Sequence, residues 1–221
     1  MTLLTHRFMK RYFILIAALL LCGFVASCSE ENDNAAKSEY SDWKARNETW
    51  WTEQMQTARE AIAEAQATYG DQWQQHSEWL ILKNHNVSPN QAGNPSDSIP
   101  VRIIQRGEGS GCPLYTDTVS VCMLGRLMPT DVHPMGYPFS FTGTYPSDEQ
   151  VFGETTRAPI KSLVSANITG YTTVLQHMHI GDRWSFYLHP DLAYGSNGTS
   201  LIPAYSVLNF TVELRAYFKP Q

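Results

Sequence analysis

Four cysteines are few for a chain of 221 residues. That scarcity excludes a disulfide-built scaffold and a zinc site made wholly of thiolates. Positive charge is also scarce: 16 Lys and Arg stand against 21 Asp and Glu, for a net charge of −5. General nucleic-acid binding wants clustered basic residues, so that class is excluded. Long apolar runs are nearly absent. The single one, residues 12–26, is shorter than the ~20 residues a membrane-spanning helix needs. No Gly-x-Ser-x-Gly elbow occurs, and Ser196 and Ser200 have no base at a recognisable spacing. The glycine-rich stretch Gly107-Glu-Gly-Ser-Gly111 runs into Cys112-Pro113, whereas a nucleotide loop must open a helix. His177 and His179 flank Met178 without a Cys or acidic partner at metal-motif spacing, so neither a metal nor another cofactor is expected. What is present is an ordinary apolar fraction, 43%. It excludes wholesale disorder and predicts one folded domain with appendages.

The first appendage is a leader. Arg7, Lys10 and Arg11 precede the apolar run, the arrangement of a secretory signal. The run closes on Val25-Ala26-Ser27-Cys28, which resembles the lipobox of bacterial lipoproteins. That resemblance implies removal of residues 1–27, which takes Cys22 with it, and acylation of Cys28. The protein would then be lipid-anchored in a bacterial cell envelope, at the outer membrane, facing the periplasm or the surface. More than one acyl chain gives a stable anchor. Residues 28–41, with Ser29-Glu-Glu-Asn-Asp-Asn-Ala-Ala36, have almost nothing to bury and read as an acidic tether.

Residues 42–83 read as a helical segment. Trp43, Trp50, Trp51, Met55, Ala58, Ile62 and Ala65 form a stripe at helical spacing. Asp42 is a candidate cap, Gly70 a candidate end, and residues 72–82 a second, shorter helix. The stripe is expected to pack on the following domain or, in a homodimer, on a second copy. Residues 84–100, rich in Asn, Ser and Pro, read as a linker and domain boundary.

From residue 101 onward the pattern turns to strands. Residues 101–106, 118–124 and 183–188 are three candidates. A fourth has Leu208, Phe210, Val212, Leu214, Ala216 and Phe218 on one face and Asn209, Thr211, Glu213, Arg215 and Tyr217 on the other. Alternation of this kind places one face on a core and one toward water. Residues 167–178 put Ile168, Tyr171, Leu175 and Met178 on one side of a helix, and Gly181 follows as a turn glycine. Antiparallel strands around one amphipathic helix make an α+β domain, residues 101–221.

Met178-His-Ile-Gly-Asp-Arg-Trp-Ser-Phe-Tyr-Leu-His-Pro-Asp-Leu-Ala-Tyr-Gly195, then Leu201-Ile-Pro203, then Leu208-Asn-Phe-Thr-Val-Glu-Leu214, resembles the FKBP-type peptidyl-prolyl isomerases. Residues 117–125 resemble the strand before that family's small-residue turn, and Val151-Phe152 the start of its Phe-Asp segment. The resemblance implies an antiparallel half-barrel sheet wrapped around one helix, preceded here by the helical segment. It also implies proline-containing polypeptides as substrates. Carried over by position, it puts Phe152, Ile168, Tyr171, Tyr194, Ile202 and Phe210 around a proline ring. Tyr171 would form the floor, and the Tyr194 hydroxyl and Ile168 N–H would bond substrate carbonyls. Met123, Gly153 and Ile160 would stand on the rim.

Three features depart from the family pattern. Met123 replaces a tyrosine, Gly153 replaces an aspartate, and residues 129–150 replace a short turn with a long insertion. The first two leave open a module that binds without turnover. Cys112 and Cys122, ten residues apart, are a candidate disulfide.

Overall fold

The computed structural model describes residues 38–88, 90–142, 152 and 158–220; Cys28, Gly153 and most of the second half of the insertion lie outside the described residues. Helix α1, Trp43–Tyr69, contains no proline and turns one stripe inward: Trp43, Asn47, Trp51, Met55, Ala58 and Ala65 are buried. The stripe is spent within the chain. Trp51 and Met55 cluster with Val207, joined by Ile81 and Tyr187, and the Trp50 ring meets Tyr187 edge-on at 5.3 Å. Burying side chains of this size stabilises by about 1.5–3 kcal/mol each. Asp42 does not cap the helix through its side chain; it sits left-handed at φ 52.

After Gly70 a 3-10 turn leads into a single helical turn, α2, Trp73–His76. Continuation of this helix to residue 82 is not observed. Ser77 turns extended at ψ 132. Its hydroxyl bonds the carbonyl and the N–H of Trp79, at 2.6 and 3.1 Å. Trp79–Lys83 is then strand β1, paired antiparallel with β2, Ser98–Gln105. The short Leu-Ile-Leu run is too brief to separate a buried strand from a helix by period. The segment read as a linker is the closed connection of this hairpin. Asn84 N–H donates to the Asp97 carbonyl at 2.8 Å, and the Asn84 amide donates to the Asp97 carboxylate at 3.0 Å. Glu39 to Gln221 accordingly forms one compact unit with no boundary at residues 84–100.

The remaining strands are β3, Thr118–Arg126; β4, Pro138–Phe141; β5, Ile160–Leu163; β6, Arg183–Leu188; and β7, Leu208–Phe218. The sheet runs β1-β2-β6-β7-β3-β4, with β5 also on β3, and every pairing is antiparallel. On its inner face lies helix α3, Thr169–Leu175, shorter than the 167–178 read from sequence. Tyr171, Val174, Leu175 and Met178 join Phe186, Leu188, Phe210, Val212 and Leu214 in one core. Gly181 turns the chain out of this segment at φ 92.

Two expectations for β7 are corrected. Its second face is not left to water: Thr211 and Glu213 are 6% and 5% exposed, because Phe152 covers their cross-strand partners Leu124 and Cys122 and Arg183 donates to Glu213 at 2.6 and 2.9 Å. A bulge in the β3 pairing at Ser120/Val121 also shifts the parity beyond Leu214, as bulges do. Tyr217, rather than Ala216 or Phe218, then packs on the core. Cys112 and Cys122 are free thiols. Cys122 lies under Phe152, while Cys112 sits beside His179, with 3.8 Å between Sγ and Nε2.

Candidate functional site

The centre of the site is an aromatic cluster on the inner face of the sheet. Tyr171, 3% exposed, meets Phe210 edge-on at 5.0 Å and Phe186 at 5.7 Å. Phe186 and Phe210 stack at 5.7 Å, a pairing set by their register across β6 and β7. Burial pushes the Tyr171 phenol well above the ordinary tyrosine range, so it stays a neutral donor. Its hydroxyl reaches Met123 Sδ at 3.8 Å, a thioether being a weak acceptor. Met123 is partly buried on the same core, opposite Val212. Ile202, 5% exposed, belongs to the core as well.

Two polar groups of the site have no partner among the described residues. Ile168 stands at the N-cap of α3 in extended geometry, φ −60 and ψ 150. Its carbonyl takes the Thr172 N–H at 2.9 Å, while nothing takes its own N–H. Tyr194 follows the 3-10 turn Pro190–Leu192. It is 40% exposed, and its hydroxyl bonds no neighbour. Two such donors, one at the N-cap of a helix packed in the aromatic core and one on the turn that leads to Ile202, can hold the carbonyls of an extended polypeptide.

Of the residues read from sequence, Tyr171, Phe210, Ile202, Ile168 and Met123 share the inner core. Tyr194 stands at the exposed turn that leads to Ile202. Phe152 does not join them. It is buried against Cys122 and Leu124, which pair with Glu213 and Thr211. Their neighbours Met123 and Gly125 pair with Val212 and Phe210, so alternation puts Phe152 on the opposite face. There the Arg183 guanidinium lies 4.8 Å over its ring. Ile160 is 41% exposed at the start of β5 and is not packed on the core. Gly153 lies outside the described residues.

The aromatic that does border Phe210 is Phe139, edge-on at 5.4 Å. It comes from β4, inside the stretch read as an insertion. Gly125 makes this contact available. A Cβ there would fall 2.7 Å from Phe139 and 2.9 Å from Phe210, too close for any side chain to fit unmoved. A signal was present in the sequence: Gly136 followed by Pro138-Phe139-Ser140-Phe141 is a turn and a short strand able to return along β3. The residue after the site phenylalanine is therefore Ser140, which pairs with Gly125.

A family model described as FKBP-type peptidyl-prolyl cis-trans isomerase matches residues 138–215, a span that begins at β4. The chain is 33% identical over 136 residues to a macrophage infectivity potentiator of Trypanosoma cruzi, covering 61% of this chain and 60% of that protein. It is 37% identical over 92 residues to the FKBP-type peptidyl-prolyl cis-trans isomerase FkpA of Aeromonas hydrophila, covering 41% of this chain and 33% of that protein. To FK506-binding protein 2 of Candida glabrata it is 33% identical over 101 residues, covering 43% of this chain and 71% of that protein. The chain thus spans 60% and 33% of the lengths of the first two relatives. With 71% of the yeast relative covered at 33% identity, and Phe139, Tyr171, Tyr194 and Phe210 all inside the matched segment, this chain belongs to the FKBP-type peptidyl-prolyl cis-trans isomerase family.

Proposed function

We propose that the chain isomerises X-Pro peptide bonds of polypeptides at the inner-face cluster. Partial double-bond character makes the planar imide resist rotation, with a barrier of about 18–20 kcal/mol. Twisting breaks that resonance and leaves a less polar group. Water favours the planar form; an apolar floor of Tyr171, Phe139 and Phe210 does not. The floor therefore favours the twisted form relative to the ground state, which is catalysis by differential binding. The Ile168 N–H and the Tyr194 hydroxyl hold flanking carbonyls, so the chain is anchored while one bond turns. No proton transfer or covalent intermediate is needed.

The observation that carries this reading is the buried aromatic cluster of Tyr171, Phe210 and Phe139, with two donors, the Ile168 N–H and the Tyr194 hydroxyl, that have no partner among the described residues. A protease-coupled assay on a proline peptide tests it. The expected outcome is conversion of the cis fraction at a rate that rises with protein concentration. A rate equal to buffer alone, with folded protein, leaves the second reading: a peptide-binding module without turnover. That reading is favoured by Met123, whose sulfur already engages the Tyr171 hydroxyl.

The setting we infer is extracytoplasmic, with the protein lipid-anchored at Cys28 and assisting the folding of proline-containing clients. Its support is the basic and apolar leader closing on Val25-Ala26-Ser27-Cys28. A second copy is not required to cover the α1 stripe, which packs on its own sheet.

A further inference from the structure

We propose that helix α1 is a clamp on the rim of the site, with Asn47 and Trp43 as positioning residues for the loop that carries Tyr194 and Ile202. The inference rests on the isomerase reading for its functional consequence and on hydrogen bonds alone for the clamp itself.

Residues 203–207 have no regular structure, and Tyr205 adopts φ 61. That left-handed conformation is uncommon for a residue with a bulky side chain, and it persists only where the surroundings hold it. Part of the holding is local. Tyr205 N–H donates to the Gly195 carbonyl at 2.8 Å, next to Tyr194. The Ser206 hydroxyl donates to the Pro203 carbonyl at 2.6 Å, next to Ile202. The rest comes from α1, more than 150 residues away in sequence. Trp43 Nε1–H donates to Ser206 Oγ at 2.9 Å, and Val207 N–H donates to Asn47 Oδ1 at 2.8 Å. Lys44 Nζ lies 4.5 Å from the centre of the Tyr205 ring.

The chemistry of Asn47 supports a dedicated role. It is 1% exposed in a helix interior, where asparagine is a poor helix former. Its amide nitrogen is committed to the Trp43 carbonyl one turn back, at 2.8 Å. The amide oxygen is thereby fixed toward Val207. Trp43 and Asn47 are four apart and share a face, so the two bonds grip successive residues, Ser206 and Val207. Ser206 relays the grip: it accepts from the indole and donates to Pro203. Loss of either bond frees a loop already held in an unfavourable backbone conformation. Small displacements of positioned groups cost rate steeply.

The test uses the full chain and the variants Asn47→Ala, Trp43→Phe and Asn47→Ala combined with Tyr205→Gly. Glycine adopts positive φ without the steric cost of a side chain, so it relieves the strain that the clamp opposes. Amide exchange and proline-peptide turnover are both read, with thermal unfolding as the check on folding. Asn47→Ala is expected to lose protection at Val207, Tyr205 and Thr199 together and to lower kcat/KM about tenfold. Trp43→Phe, which stays aromatic but removes the donor and part of a buried ring system, should lower it about threefold. The double variant should return to within about twofold of wild type. Protection lost at Val207 alone overturns the clamp, whether or not the wild type turns over substrate. An active wild type with unchanged turnover in Asn47→Ala overturns the positioning role. A wild type without turnover defeats the isomerase reading instead, and the exchange pattern still decides the clamp.

Discussion

Phe210 and Phe152 are almost equally hidden from water, at 4% and 5% exposure, yet they lie on opposite faces of one sheet. Phe210 touches Tyr171, Phe186 and Phe139. Phe152 touches Cys122, Leu124 and the Arg183 guanidinium. The first belongs to the main core, together with Tyr171 and Ile202. The second is a cover over a small satellite cluster beside a half-buried ion pair. Burial and residue type do not distinguish them; strand parity does. A one-residue difference in position along β3 separates a wall of the candidate site from a cover on the other face.

The widest separation between the two should come from truncating each. Phe210→Ala empties the middle of the main core, and such changes cost about 3–5 kcal/mol. That is a large part of the 5–15 kcal/mol typical of a domain. Turnover on a proline peptide should fall below detection even where the variant stays folded. Phe152→Ala should lower the melting temperature as well, through its smaller cluster and the lost cation–π contact of about 0.5–1 kcal/mol. The folded fraction should keep wild-type kcat/KM. Equal losses of turnover per folded molecule in the two variants would erase the distinction between the faces.

Phe139→Ala sharpens the same contrast from the side that the sequence obscured. Phe139 lies at the margin of the core, partly buried, so its loss should destabilise less than that of Phe210. Its effect should fall on substrate instead. We expect kcat/KM to drop between about tenfold and a hundredfold, consistent with ~1.5–3 kcal/mol from one buried aromatic wall. A drop no larger than that of Phe152→Ala, measured on folded protein, would remove Phe139 from the site.

How much of this was legible depends on how far local pattern determined the outcome. Strand β6 and the Pro-x-x-Ala-Tyr-Gly turn after it could be read directly, because alternation and turn chemistry agree there. Helix α3 could be placed but not bounded: Thr172, Thr173 and Val174 are weak helix formers, and the helix ends at Leu175. Strand β1 was hidden because Leu80-Ile81-Leu82 has no period of its own and becomes a strand only through β2. The Phe139 wall was hidden for a different reason. A long loop separates it from the motif, and Phe152 offered an equally plausible aromatic nearer the expected order. The grip of Asn47 on Val207 spans 160 residues, and no local signal marks it.

The finest comparison is between the two donors and the aromatic floor, and Tyr194→Phe isolates it. The substitution removes one hydroxyl and leaves the ring in place. Because that hydroxyl bonds nothing in the described structure and the ring is 40% exposed, the melting temperature should not move. A neutral hydrogen bond contributes about 0.5–1.5 kcal/mol net, so kcat/KM should fall about two- to tenfold. If the floor alone lowered the barrier, this variant would turn over substrate as fast as wild type, and the site would reduce to an apolar surface with one anchoring N–H at Ile168. A measured loss within the expected range, with unfolding unchanged, assigns the hydroxyl to the substrate rather than to the fold.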